Sequence, residues 1–128
     1  MVIDDQPGVR RLICEALKQG GYNLCVATEG KEALAKLTSE VPDLVILDMK
    51  MPGMSGMEFL KEMRKLSYSL PVIVITAYND LDLVEQASKY GASHFLQKPF
   101  DIQQLYRLVR GLCSQDFAGF KQLASCNG

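Results

Sequence analysis

The sequence predicts an α/β fold built on a doubly wound parallel sheet, and three observations support this prediction. Short apolar runs alternate five times with amphipathic stretches along the 128 residues. Two of the runs, Leu44–Leu47 and Val72–Ile75, are apolar at every position, which is typical of strands covered on both faces. The stretches between the runs carry apolar residues at the spacing of a helix face. Such strict alternation indicates parallel strands joined by right-handed helical crossovers.

The predicted elements begin and end at recognisable residues. Strands are predicted at 1–3, 22–27, 44–47, 72–75 and 94–96. Helices are predicted from 9 to the glycine pair 20–21, around 33–37, from a capping box at 55–58 onward, near 80–90, and from 101 to 112. Only three residues precede Asp4, so the first strand is expected to be short. Lys61, Arg64 and Lys65 are interpreted as a solvated face of the third helix.

Length and composition favour a single globular domain. We predict this domain at 1–113, with 114–128 as a helix extension or tail. A net charge of −1 argues against direct binding to nucleic acid or to an anionic membrane. No apolar run approaches the ~20 residues that span a bilayer, and no signal region opens the chain. A cytoplasmic location is therefore expected.

Polar residues follow four of the five predicted strands. Asp4 and Asp5 follow the first strand, Asp48 the third, Thr76 the fourth and Lys98 the fifth, after Gln97. In open α/β sheets the ligand site lies outside the carboxyl ends of the strands. Each of these residues alone has an ordinary interpretation as a cap, a loop acid, a strand end or a surface lysine. Their joint placement at one edge of one sheet favours a functional site.

This combination of side chains suits phosphoryl transfer. Carboxylates placed together repel one another and raise each other's pKa. Mg²⁺ removes that conflict because it prefers oxygen ligands and binds through one or two carboxylates plus phosphate oxygens. A carboxylate beside the metal, such as Asp48, can then act as the nucleophile. Lys98 and Thr76 supply a cation and a hydrogen-bond donor for the phosphoryl oxygens.

Four segments together resemble the receiver domains of bacterial two-component response regulators. They read VIDDQP (2–7), LVILDMKMPG (44–53), ITAY (75–78) and KPFD (98–101). The resemblance covers about 1–112 and includes every motif in order. Within the family it is most similar to the single-domain intermediate of the sporulation phosphorelay, through the shared 48–50 and 98–102.

The resemblance implies a flavodoxin-like (βα)5 receiver with strand order 2-1-3-4-5. It also implies that Asp48 is the phosphoacceptor, loaded from a phosphohistidine of a sensor histidine kinase or a histidine phosphotransferase. Asp5 and Asp48 would be direct Mg²⁺ ligands, joined by the backbone carbonyl of Lys50, and Asp4 would reach the metal through water. Thr76 and Lys98, the lysine that follows the fifth strand, would bind the phosphoryl oxygens.

Three further expectations concern switching and lifetime. Phe95 falls where the family has its rotating aromatic, so Thr76 and Phe95 would form the switch. The resemblance also implies a cis peptide bond before Pro99. Lys50 and Tyr78 are expected at the mouth of the site, where their bulk would hinder the water that attacks the phosphorus and would slow dephosphorylation.

Alternatives from other classes remain open at this point. An aspartate-nucleophile phosphohydrolase would have a second acid where Lys50 stands, and a flavin module would lack the acid pair 4–5. A degenerate receiver scaffold that only binds proteins is the main alternative to a phosphoacceptor switch, which catalyses only its own phosphorylation and slow dephosphorylation. His94 is interpreted as a structural or surface residue. We expect a monomer or weak dimer with a downstream protein partner, either as a stand-alone receiver or as part of a longer chain.

Overall fold

The computed structural model describes residues 1–51, 53–66, 68–77, 80–92 and 94–115. The strands are β1 Val2–Ile3, β2 Val26–Ala27, β3 Val45–Asp48, β4 Val72–Thr76 and β5 His94–Gln97. The helices are α1 Pro7–Gln19, α2 Gly30–Ser39, α3 Gly56–Lys65, α4 Leu81–Lys89 and α5 Ile102–Gln115. Tyr78 and the predicted tail beyond 115 lie outside the described residues, and the domain boundary at 113 stays a prediction.

The five strands form one parallel sheet in the order β2-β1-β3-β4-β5. The predicted fold class and strand order are confirmed. The first strand has two residues, as its short sequence led us to expect, and it lies between β2 and β3. This order brings the carboxyl ends of β1, β3 and β4 side by side.

Helices cover both faces of the sheet, as the fully apolar strands predicted. On one face Leu47 and Val74 pack with Phe59 and Met63 of α3. On the other face the central strands pack against α1 and α5, through residues that include Ile13, Leu17, Ile46, Ile73, Leu105 and Val109. Among the described residues, no helix is both long enough and apolar enough to cross a membrane.

The predicted strand at 22–27 is four residues shorter than expected. The backbone N–H of Tyr22 donates to the carbonyl of Leu17 at 3.2 Å, and that of Gly21 donates to Lys18 at 3.0 Å. Gly21 has φ +87°, the left-handed conformation that ends many helices. Tyr22 therefore belongs to the end of α1. The side chain of Tyr22 packs against the core, although its backbone does not pair in the sheet.

The interpretation of Arg64 as a solvated residue is wrong. Its guanidinium donates to the carbonyls of Tyr90 at 2.6 Å, Tyr68 at 2.7 Å and Leu70 at 3.1 Å. Burial lowers the pKa of Arg64 from its usual value. Gly91, with φ +89°, makes room for the guanidinium, since a Cβ there would lie 3.0 Å from it. Arg64 thus ties the end of α3 to the segments that lead into β4 and β5.

Candidate functional site

Three carboxylates meet at the carboxyl edge of the sheet. Asp4 and Asp5 follow β1, and Asp48 is the last residue of β3. One oxygen from each carboxylate lies within 4.8 Å of the others. Asp4 is 1% exposed and Asp48 is 4% exposed, whereas Asp5 is half-buried. The sequence-predicted acids are therefore assembled into one cluster that can hold a metal ion.

Backbone contacts hold two of these acids in place. The N–H of Gln6 donates to Asp4 Oδ1 at 2.9 Å, and the N–H of Lys50 donates to Asp48 Oδ1 at 3.1 Å. Both are local turns in which an aspartate binds the backbone two residues later. Arg10 Nη1 donates to the backbone carbonyl of Asp4 at 2.8 Å and fixes the same loop from α1.

Burial dominates the electrostatics of the cluster. It raises the pKa of Asp4 and of Asp48 above their ordinary value, and the neighbouring carboxylates add to the effect. Backbone hydrogen bonds and the charge of Lys98 oppose it in part. Among the described residues, Asp4 Oδ2 is buried without a hydrogen-bond partner. The site therefore carries costly negative charge that a cation would relieve.

Lys98 and Thr76 stand beside the acids at the ends of β5 and β4. Lys98 Nζ lies 3.8 Å from Asp48 Oδ2 and donates to Gln6 Oε1 at 3.3 Å. The backbone N–H of Lys98 donates to the carbonyl of Thr76 at 2.8 Å, which joins the two strand ends. Thr76 is 5% exposed and lies one residue beyond Ile75, the register partner of Asp48.

The peptide bond between Lys98 and Pro99 is cis, so that prediction is confirmed.

Phe95 and Thr76 line one cavity. Phe95 is half-buried in β5, and its register partner on β4 is Val74. Val74 lies two residues before Thr76 on the same strand, so Phe95 and Thr76 are on the same face of the sheet. The cavity lies between the end of β4 and the first turn of α4, and Leu81 and Val84 also line it. An aromatic side chain next to a cavity at the site has space to move into.

Lys50 and Tyr78 are the two residues predicted at the mouth of the site. Lys50 is exposed just after Asp48, at the edge of the acid cluster. Tyr78 lies outside the described residues. His94 begins β5 and is therefore at the opposite end of that strand from Lys98.

Gly56 is a site-supporting residue that the sequence analysis missed, because it was interpreted only as part of the capping box. That box is present, with Glu58 N donating to Ser55 Oγ at 3.2 Å and Ser55 N to Glu58 Oε1 at 3.1 Å. A Cβ at Gly56 would lie 2.6 Å from the carbonyl oxygen of Asp48 and 2.6 Å from Met49 Cα. Glycine therefore lets the start of α3 pack directly on the backbone that carries Asp48.

Comparison with known proteins yields one family and several close relatives. The family described as response regulator receiver domain matches residues 1–110. Sporulation initiation phosphotransferase F of Bacillus subtilis is 42% identical over 110 residues, which cover 86% of this chain and 89% of that protein. The DNA-binding transcriptional regulator NtrC of Salmonella typhimurium is 40% identical over 108 residues, 84% of this chain but 23% of that protein.

Solved structures share the same fold. The receiver domain of NtrX from Brucella abortus superposes with a TM-score of 0.81 at 29% identity, covering 87% of this chain and 94% of that chain. Chemotaxis protein CheY4 of Vibrio cholerae gives a TM-score of 0.81 at 30% identity, with the same coverage of 87% and 94%.

Proposed function

The chain belongs to the response regulator receiver domain family, and we propose that it accepts a phosphoryl group on Asp48 from a partner's phosphohistidine. The partner is a sensor histidine kinase or a histidine phosphotransferase. The observation that carries the proposal is the buried Asp48 carboxylate, which lies within one acid cluster and 3.8 Å from the Lys98 ammonium. A degenerate scaffold is not supported, because the family match and the cluster of three acids occur together.

The acid cluster fits Mg²⁺. Its donors are carboxylate oxygens, the preferred ligands of a hard cation. Asp4 Oδ2 has no hydrogen-bond partner in the part of the chain that the structure describes, and a metal-bound water would supply one. Asp5 and Asp48 would hold the ion directly with the carbonyl oxygen of Lys50, and Asp4 would act through water. When bound, Mg²⁺ neutralises the crowded carboxylates and the phosphoryl oxygens.

The chain's own residues then divide the chemistry. A carboxylate oxygen of Asp48 forms the new bond to phosphorus while the phosphorus–nitrogen bond of the phosphohistidine breaks, and the imidazole keeps that electron pair. Lys98 places its ammonium beside the carboxylate, where it binds a phosphoryl oxygen. The Thr76 hydroxyl binds another from the end of the adjacent strand. The protein is thus a phosphoacceptor switch that catalyses only its own phosphorylation and slow dephosphorylation.

Phosphorylation changes partner binding through Thr76 and Phe95. Thr76 moves toward the new oxygens, and Phe95 turns into the cavity that both residues line. This packing change biases a two-state surface formed by β5 with α4 and α5, which a downstream protein reads. NMR chemical shifts should therefore change at Phe95 on phosphorylation. Changes confined to the loop after Asp48 would contradict the switch while leaving the phosphoacceptor role intact.

Intact-mass measurement tests the proposal directly. Wild type incubated with Mg²⁺ and acetyl phosphate should gain one phosphoryl group, and Asp48→Ala should gain none. Asp82→Asn is the matched control, because Asp82 is an exposed acid on α4 away from the cluster. Equal labelling of wild type and Asp48→Ala would remove Asp48 as the acceptor.

A further inference from the structure

Strand β2 forms one edge of the sheet, and its two sides differ in their hydrogen bonds. Toward β1, the carbonyl of Cys25 accepts from Val2 N at 2.8 Å, and that of Ala27 accepts from Asp4 N at 3.1 Å. Backbone groups alternate in direction along a strand. Hence the carbonyl of Val26, between Cys25 and Ala27, points away from the sheet, and so does the next outward N–H, that of Thr28.

Side chains of α2 satisfy both outward groups. Lys36 Nζ donates to the carbonyl of Val26 at 2.6 Å. Glu32 Oε1 accepts from the backbone N–H of Thr28 at 2.7 Å and from its hydroxyl at 2.9 Å. Glu32 and Lys36 are one helical turn apart and form an ion pair at 3.2 Å. The hydrogen bonds from Thr28 lower the pKa of Glu32 from its usual value.

The arrangement has the pattern of a paired strand. In a parallel ladder, one incoming residue donates its N–H to the carbonyl of residue i and accepts from the N–H of residue i+2. Lys36 supplies the donor to Val26 and Glu32 supplies the acceptor for Thr28. We propose that the Glu32–Lys36 pair occupies the β2 edge in place of a strand residue and thereby prevents a second copy of this chain from pairing there.

An edge strand with free backbone groups is a template for pairing with another chain, and proteins commonly protect such edges with charged side chains. Without the pair, Val26 and Thr28 would offer one acceptor and one donor in the correct spacing. Two copies related by a two-fold axis would then join β2 to β2 in antiparallel orientation, since a two-fold reverses the direction of one strand. This edge lies at β2, so the inference does not depend on phosphorylation of the chain.

The helix α3 provides a matched control. Its pair Glu62–Lys65 has a similar separation of 3.0 Å, and the Lys65 side chain is 74% exposed. Among the described residues the Lys65 ammonium is bonded to that carboxylate and to no backbone carbonyl. Lys65→Met therefore removes a charge and adds an apolar side chain without opening the β2 edge.

Sedimentation velocity over a range of concentrations tests the proposal. Wild type and Lys65→Met, alone or combined with Glu62→Ala, should stay monomeric. Glu32→Ala combined with Lys36→Met should form a concentration-dependent dimer, because this double variant frees both the Thr28 N–H and the Val26 carbonyl. Lys36→Arg should stay monomeric, because arginine can still bind both the Val26 carbonyl and the Glu32 carboxylate. A monomeric Glu32→Ala, Lys36→Met variant, or equal association of the Glu62→Ala, Lys65→Met control, would overturn the proposal.

Amide hydrogen exchange in dilute solution provides a second measurement that does not require a dimer. In Glu32→Ala the Thr28 amide should exchange about fivefold faster or more, since it loses its carboxylate acceptor. Protection of the α2 amides reports whether the helix is intact, so that a folding defect is recognised separately. An unchanged exchange rate at Thr28 with α2 intact would show that Glu32 does not hold the edge.

Discussion

Arg64 is expected to be a major determinant of stability, and Arg64→Met is the substitution that tests this. Methionine keeps an unbranched apolar stem and removes all three hydrogen bonds to the carbonyls of Tyr68, Leu70 and Tyr90. The Tyr90 bond is exposed, so water can replace it, whereas those to Tyr68 and Leu70 are partly buried.

The magnitude follows from the two partly buried bonds. A hydrogen bond from a charged group contributes about 1.5–3 kcal/mol, and the lower value suits bonds that are half-buried. Two such bonds give a loss of about 3 kcal/mol in the free energy of unfolding. This is a large fraction of the about 5–15 kcal/mol that stabilises a typical domain. The corresponding decrease in Tm is roughly 10 °C for a domain of this size.

Urea denaturation at neutral pH measures the effect against two controls. Lys65→Met, one residue further along α3, removes an exposed ion pair and should cost less than about 1 kcal/mol. Arg64→Lys should fall between wild type and Arg64→Met, because one ammonium cannot reach three carbonyls. If the free energy of unfolding of Arg64→Met lies within about 0.5 kcal/mol of that of Lys65→Met, the three hydrogen bonds do not stabilise the fold.

The remaining predictions concern the carboxyl edge of the sheet. Asp48→Asn should be more stable than wild type at neutral pH without Mg²⁺. Burial raises the folded-state pKa of Asp48 above 3.8, so its ionisation costs stability above that folded-state pKa. The stability advantage of Asp48→Asn over wild type should shrink as the pH falls toward 3.8. If urea titrations give the same difference in free energy of unfolding between the two proteins at pH 7 and at pH 4, the prediction is contradicted. Asp5→Ala should lose the weak Mg²⁺ site in calorimetric titration; unchanged affinity would remove Asp5 from the metal ligands. Gly56→Ala should destabilise the fold by about 1–3 kcal/mol, since its Cβ overlaps backbone atoms, and an unchanged urea midpoint would refute the close approach. Lys50→Asn combined with Tyr78→Ala should speed loss of the acyl phosphate in Mg²⁺ buffer, and a decay no faster than that of wild type would show that neither side chain hinders the water.

The strand prediction at 22–27 shows where local patterns stop being informative. Tyr22 and Leu24 are apolar and pack against the core, as strand residues would. The backbone of Tyr22 nevertheless completes the end of α1. Gly21 has the left-handed conformation, which directs the N–H of Tyr22 toward the carbonyl of Leu17. An apolar pattern reports burial, and burial alone does not distinguish a helix end from a paired strand.

Arg64 and Gly56 are two residues whose structural roles the local sequence patterns did not predict. A lysine–arginine cluster on a helix is usually solvated, and nothing near Arg64 in the sequence reveals that its guanidinium binds three backbone carbonyls on segments that precede β4 and β5. Gly56 fits a capping box, and its second role depends on how closely α3 approaches β3. Both roles depend on contacts between elements, so they cannot be predicted from local sequence.

The sequence by itself determined the alternation of strands and helices, the parallel sheet and the residues at its carboxyl edge. These features depend on periodicity and on the residue that follows each strand, which are local properties of the chain. Only the tertiary structure decided that the acid oxygens lie within 4.8 Å, that Asp4 Oδ2 is unpartnered among the described residues, and that Lys36 binds the carbonyl of Val26. Those facts depend on distances between segments far apart in sequence, which the packing of helices on the sheet sets.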